Sequence, residues 1–305
     1  MDAIQQELLA QVADLHEVPE GAYNIRANGE MAGRNITANI DIVTKEDCPG
    51  IDIRIKPGTK SESVHIPVVL SQSGLQESVY NDFFVGEDCD ITIIAGCGIH
   101  NGGSASSSHS GIHRFFVEKN AKVRYVEKHY GSGDGSGERI MNPTTEIHLA
   151  EGASLEMETV QIKGIDSTVR TTTAEVAAGA SLVIKEKIMT HGKQYAETDF
   201  TVDMEGKDSS VNLISRSVAK ERSRQIFRSR ILGNASCHGH SECDAIIMDD
   251  ASVSAIPELT ASHIDANLIH EAAIGKIAGE QLIKLMTLGL TEKEAEEQIV
   301  KGFLK

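Results

Sequence analysis

Cys237-His238-Gly239-His240-Ser241-Glu242-Cys243 holds two thiols and two imidazoles within seven residues. Thiolate and imidazole are the donors that zinc and iron sites use, so the residue types read as a metal-ligand cluster. The spacing matches no standard zinc hairpin. On a strand, alternate side chains point to opposite faces, which leaves only Cys237, Gly239, Ser241 and Cys243 on one side. Cys97 offers a different chemistry. It lies in Ala95-Gly96-Cys97-Gly98 at the mouth of a Gly/Ser-rich stretch. A thiol there is either a small buried residue or, given a stabilised thiolate, a group that a partner reaches and loads with sulfur. His270-Glu271 is the third feature: either a ligand or proton carrier beside a carboxylate, or a satisfied histidine of the core or rim.

These residues need a framework, and a repeat supplies it. A turn residue, a small residue and alternating apolar positions recur in Asn120-Ala121-Lys122-Val123-Arg124-Tyr125, Gly152-Ala153-Ser154-Leu155-Glu156-Met157 and Gly179-Ala180-Ser181-Leu182-Val183-Ile184. The small residue returns at 209 and 235, and then at half the step at 251 and 266. Such a period marks a stacked array. Strands separated by turns, with no helices between them, exclude a βαβ fold and favour an all-β parallel β-helix. The phase places Val123, Tyr125, Leu155, Met157, Leu182, Ile184, Cys237 and His270 on the inner face. Gly98–Gly111 and the GSGDGSG run at 131–137 read as flexible loops between coils.

Residues 1–17 are expected to form an amphipathic helix, within an N-terminal segment 1–22. The β-helix core is expected over 23–270 and a helical subdomain over 271–305. Ala272–Leu288 reads as one helix stopped by Gly289, and Thr291-Glu292-Lys293-Glu294 as a capping box opening a second.

Composition narrows the function. With 45 acidic against 29 basic residues the net charge is −16, which argues against nucleic-acid or anionic-membrane partners. A local cluster (Arg216, Lys220, Arg222, Arg224, Arg228, Arg230) reads as a solvated edge or protein-docking surface. No apolar run is long enough for a membrane span, the N-terminus lacks a secretion pattern, and five cysteines then indicate reduced thiols in the cytoplasm. No phosphate loop, GxSxG elbow or HExxH helix occurs. A carbohydrate-active β-helix is a weak alternative, since carboxylates arranged along an aromatic groove are not evident.

Three segments resemble the SufB/SufD family of iron–sulfur cluster assembly scaffolds. Ala95-Gly96-Cys97, with the strand from Ile112 to Tyr125, is similar to the family's Glu-Gly-Cys segment. Ser241-Glu242-Cys243-Asp244-Ala245-Ile246-Ile247-Met248 resembles its Cys-Asp-Ser-Met segment. Leu268-Ile269-His270-Glu271-Ala272-Ala273-Ile274-Gly275-Lys276, continued by Gln281-Leu282, Gly289-Leu290 and Gly302-Phe303-Leu304, is similar to its C-terminal signature.

The resemblance implies a right-handed parallel β-helix that pairs with itself or another SufB/SufD-type chain. It implies C-terminal helices that dock a SufC-type ABC ATPase, with Gln281, Leu282, Leu285, Met286 and Leu290 as docking residues. The scaffold itself would be no enzyme and bind no nucleotide. Cys97 matches the sulfur-accepting position, and His270 and Glu271 match positions tied to building a transient iron–sulfur cluster. Ala251 and Ser254 stand where SufB-type members carry a cysteine and a histidine. Either Cys237 and Cys243 replace the lost ligands, or the chain is a structural, SufD-like interaction protein.

Overall fold

A computed structural model describes residues 1–17 and 19–305; Val18, inside the expected N-terminal segment, lies outside them. The chain opens with helix α1 (Ala3–Ala13) and strands β1 (Ala22–Ala27), β2 (Glu30–Asn35), β3 (Ile40–Thr44) and β4 (Gly50–Ile55). Longer strands follow: β5 (Lys60–Leu70), β6 (Gln76–Val85), β7 (Asp90–His100), β8 (Ser107–Val117) and β9 (Lys122–Ser132). Next come β10 (Arg139–Met141), β11 (Thr144–Leu149), β12 (Ser154–Lys163), β13 (Ser167–Val176), β14 (Ser181–Thr190) and β15 (Tyr195–Met204). The array closes with β16 (Ser209–Ala219), β17 (Arg224–Gly233), β18 (Cys237–Ile247), β19 (Ser252–Ala261) and β20 (Asn267–Gly275). Helices α2 (Gly279–Thr287) and α3 (Glu292–Phe303) end the chain.

From β4 onward the chain alternates between two sheets, with β10 and β11 together making one strand position, giving a β-solenoid of about eight turns. The first sheet runs β2-β1-β5-β7-β9-β12-β14-β16-β18-β20, and the second β19-β17-β15-β13, then β10 and β11, then β8-β6-β4-β3. The β1/β2 and β3/β4 hairpins are antiparallel and close the N-terminal end; the long strands pair in parallel. The half-steps in the repeat have a simple cause. Ser252 aligns with Arg224 in the second sheet, so Ala251 immediately precedes a strand of the other sheet. Cys237, and not Ala235, stands opposite Ser209.

The recurring phrase is the corner of the solenoid. Its turn residues Asp88, Asn120, Gly152, Gly179 and Asp208 all have φ between 55° and 68°. Gly, Asn and Asp tolerate that left-handed conformation best. The next residue (Cys89, Ala121, Ala153, Ala180, Ser209) is fully buried, which limits its size. Alternation then fills an apolar lobe with Ile93, Tyr125, Met157, Ile184 and Leu213, against Phe83 and Phe115 stacked at 4.5 Å. Burying each such side chain contributes about 1.5–3 kcal/mol.

Three expectations are corrected. The first is the flexible loops. Gly98–His100 and Ser107–Gly111 are strand, and 133–138 stacks on 101–106 through Gly135 N–H to Asn101 O (3.0 Å) and Gly137 N–H to Gly103 O (3.1 Å). A Cβ on Gly135 or Gly137 would fall 2.2 Å from a carbonyl of that underlying loop, so close backbone stacking dictates the glycines. Secondly, Ala272–Gly275 is strand, because pairing with Cys243–Ile246 outweighs alanine's helix propensity. The solenoid thus runs past residue 270, and helix begins at Gly279. Thirdly, α1 is shorter than 1–17: Asp2 and Gln5 form its capping box, and Asp14 ends it in the left-handed region.

Candidate functional site

The inner face that is apolar near the corner becomes polar two rows further along the strands. In the first sheet, register aligns Ala95, Glu127, Thr159, Glu186, Ser215 and Cys243 in one inward row. The neighbouring row is Cys97, His129, Gln161, Ile188, Ser217 and Ala245. Facing them, the second sheet contributes Asn81, His113, Thr145 and Thr172 in register, with Arg170 two residues before Thr172.

Hydrogen bonds join these groups across the interior. His113 sits between Asn81 (3.2 Å) and the Tyr125 hydroxyl (2.7 Å), and that hydroxyl donates to Glu127 at 3.2 Å. Arg170 donates to Glu127 Oε2 at 2.9 Å and lies 3.6 Å from Glu186. Thr198 and Ser215 donate to Glu186 at 2.8 and 3.0 Å. Burial alone would raise the Glu127 carboxyl, but His129 and Arg170 outweigh it and hold Glu127 well below the usual carboxylate range. Glu186 is shifted the other way, because burial exceeds what Arg170, Thr198 and Ser215 return. Burial pushes His113 down to about 4, with Glu127 opposing.

Cys97 borders this network within a small apolar cluster of Val68, Leu70, Ile99, Met141 and Ile165. Burial, then the charges of Glu127 and Glu77, push its thiol well above the ordinary value. This conformation therefore does not stabilise the thiolate on which sulfur loading depends. Nor do the flanking glycines serve the thiol. A Cβ on Gly96 would lie 2.5 Å from Val12 O, and one on Gly98 3.0 Å from Leu8 Cβ, so both make room for α1 on the strand's outer face.

The four candidate ligands do not converge. Cys237 occupies the buried corner row of Ser209, a position filled elsewhere by Ala121, Ala153 and Cys89. It is a small core residue, and burial raises its thiol. Cys243 lies inward, with its thiol pushed up to about 12 by burial, Glu186 and Asp244. His270 aligns with Ser241 on the inner face of the last strand, whereas Glu271 points outward to His240 (3.4 Å). Among the described residues no group of three or more His, Cys, Asp or Glu is arranged to hold a metal ion. Cys97 stands six strands before β20 in the first sheet, about 29 Å at the usual strand spacing.

The C-terminal end of the solenoid is open. β19 and β20 are sheet edges, with Ile256, Ile269 and Ile274 exposed. His270 Nδ1 is buried there without a hydrogen-bond partner, and burial followed by His240 lowers its pKa. Beyond it, α3 packs Val300 and Leu304 against Val218 and Ile246. Of the expected docking residues, Gln281 and Met286 are exposed, while Leu282, Leu285 and Leu290 are half-buried. Ile283 and Leu288 complete the exposed apolar face. The arginine cluster is partly dispersed into cross-strand pairs, Arg228 with Glu197 and Arg230 with Glu258.

Sequence reasoning missed Glu127, His129, Arg170 and Glu186. Alternation carried on from Val123 and Tyr125 marks Glu127 and His129 as inward, and that signal was available.

The family described as "SUF system FeS cluster assembly, SufBD core domain" matches residues 73–303. An "Iron-sulfur cluster assembly SufBD family protein" of Archaeoglobus fulgidus is 33% identical over 265 residues, covering 85% of this chain and 69% of the relative. One from Methanothermobacter thermautotrophicus is 30% identical, covering 84% of this chain and 62% of the relative. A third, from Methanocaldococcus jannaschii, is 28% identical and covers 83% and 79%. No helix among the described residues is long and apolar enough to cross a membrane. The chain belongs to the SufBD family of iron–sulfur cluster assembly proteins.

Proposed function

We propose that this chain is a scaffold subunit, itself without enzymatic activity, that docks a SufC-type ATPase through α2 and α3. It pairs through β19 and β20 with a second SufB/SufD-type chain or a copy of itself. The observation that carries this reading is the open last turn, whose unpaired strand edges and exposed Ile256 and Ile269 stand beside a helix pair of which only α3 is anchored. Unpaired edges invite strand addition. The iron–sulfur cluster is cargo on this reading. His270 lies beside the junction, so a partner chain would supply the ligands that one chain does not assemble.

Sulfur would enter at Cys97, whose thiolate attacks the outer sulfur of a donor persulfide and releases the donor thiolate. Burial holds that thiol silent until the solenoid is strained, which nucleotide-driven closure of the ATPase pair would accomplish. Titration calorimetry with a SufC-type ATPase tests the docking: micromolar binding, weakened at least tenfold by Ile283→Asp/Met286→Asp, is expected. No binding with the tail intact counts against the reading.

A second reading, the SufD-like structural subunit, is favoured by Cys237 in a corner position and by Ala251 in place of a ligand. Anaerobic reconstitution with iron and sulfide, carried out on the chain paired with its SufB/SufD-type partner, separates the two. A visible charge-transfer band lost in Cys97→Ala or His270→Ala supports the active scaffold, and a colourless protein the structural one.

A further inference from the structure

One outward row of the second sheet is unlike the rest of the surface. Register aligns Arg54, Phe84, Phe116, His148, Glu175 and Asp203 on six successive strands. Phe84 stacks on Phe116 with centroids 5.1 Å apart and planes at 8°, and Phe116 on His148 at 5.2 Å and 4°. Grooves of about 410 and 550 Å³ follow the row and share Phe116 and Glu118.

We propose that this groove docks an extended, arginine-bearing segment of a protein partner. The chain already displays the recognition pattern at one end. The Arg54 guanidinium lies 5.7 Å from the centre of the Phe84 ring while it donates to Asp52. The next platform, Phe116 and His148, has carboxylates around it (Glu118, Glu146, Glu175, Asp203 and Glu205) but no guanidinium of its own in the groove. His148 offsets Glu146 and Glu175 at 2.8 and 2.9 Å, and Asn234 donates to Glu205 at 2.7 Å. The groups acting on Asp203 are burial, Glu205 and Glu175, all of which raise its carboxyl. A cation brought by a partner relieves that excess, and a planar one also stacks on the rings. From Phe84 to Asp203 the row spans about 19 Å, which an extended segment of about six residues covers. Anionic partners such as nucleic acid are repelled by the same carboxylates.

Fluorescence anisotropy with the full chain and a labelled nonapeptide alternating glycine and arginine tests this. Expected are saturable binding, at least threefold tighter than for the lysine analogue, and at least tenfold weakening in Glu175→Gln/Asp203→Asn. The charge-matched control Glu292→Gln/Glu297→Gln, on α3, should weaken it less than threefold. Phe116→Leu keeps an apolar filler and should abolish the preference for arginine. Absence of saturable binding at millimolar protein, equal weakening in both double variants, or an unchanged arginine preference in Phe116→Leu overturns the proposal. Melting curves confirm that each variant is folded.

Discussion

Arg170 and Glu127 meet inside the solenoid, Nη1 to Oε2 at 2.9 Å, each carried by a different sheet. Both side chains are buried, and Glu186 shares the guanidinium. Such a pair repays its desolvation only while both partners are present. Arg170→Met strands two carboxylates, and a loss of about 3–5 kcal/mol in urea unfolding is expected. Glu127→Gln/Arg170→Met should lose less than the two single changes added together, which a double-mutant cycle measures.

Stability should fall on acidification before ordinary carboxylates titrate. His113 is held neutral by burial, down to about 4, whereas the unfolded chain takes up that proton near pH 6.5. Between these values the unfolded state binds more protons, so its contribution, about 3 kcal/mol, is complete above pH 6.5 and is lost as pH falls to 4. Glu127, lowered in the fold, adds a loss of the same sign below about pH 4.5. Denaturant titrations at pH 7, 5.5 and 4 should show the decline, and His113→Gln should flatten its upper half.

Thiol accessibility should separate one cysteine from four. Cys89, Cys97, Cys237 and Cys243 are buried and Cys48 is partly exposed. Native protein treated with a disulfide-exchange reagent should release close to one equivalent promptly and five only in denaturant. Prompt reaction of Cys97 in the isolated chain would contradict the burial that keeps it silent.

Gly96→Ala should loosen the N-terminal helix. The added methyl meets the Val12 carbonyl at 2.5 Å, so either α1 or β7 must move. A cost of about 1–3 kcal/mol and earlier proteolysis within residues 1–17 are expected, while the far end of the solenoid is unaffected.

Period and phase made the solenoid legible, because a two-residue alternation interrupted by a left-handed corner leaves few other ways to bury Val123, Leu155 and Leu182. The same count placed Cys237 and His270 inward, where the solenoid holds them. What the residues did not disclose is how far the strands run through glycine. Gly135 and Gly137 look like a tether and are a stacked backbone ladder, which only the turn beneath them reveals. The glycines beside Cys97 misled for the same reason, since their neighbour is a helix more than eighty residues earlier in the chain. Arg170 stayed hidden because Glu127 and Glu186, which neutralise it, lie on the opposite sheet.

Consecutive long strands belong to different sheets, and each bonds to those one full coil away: Ser154 with Lys122 and Ser181, Ser210 with Ser181 and His238. Lengthening or shortening this molecule is therefore quantised. A one-residue insertion inside a strand would invert which side chains meet the interior along the rest of that strand, whereas adding or excising one complete circuit leaves every later contact in step. Relatives of different size should differ by such whole circuits, or by material appended outside the wound region.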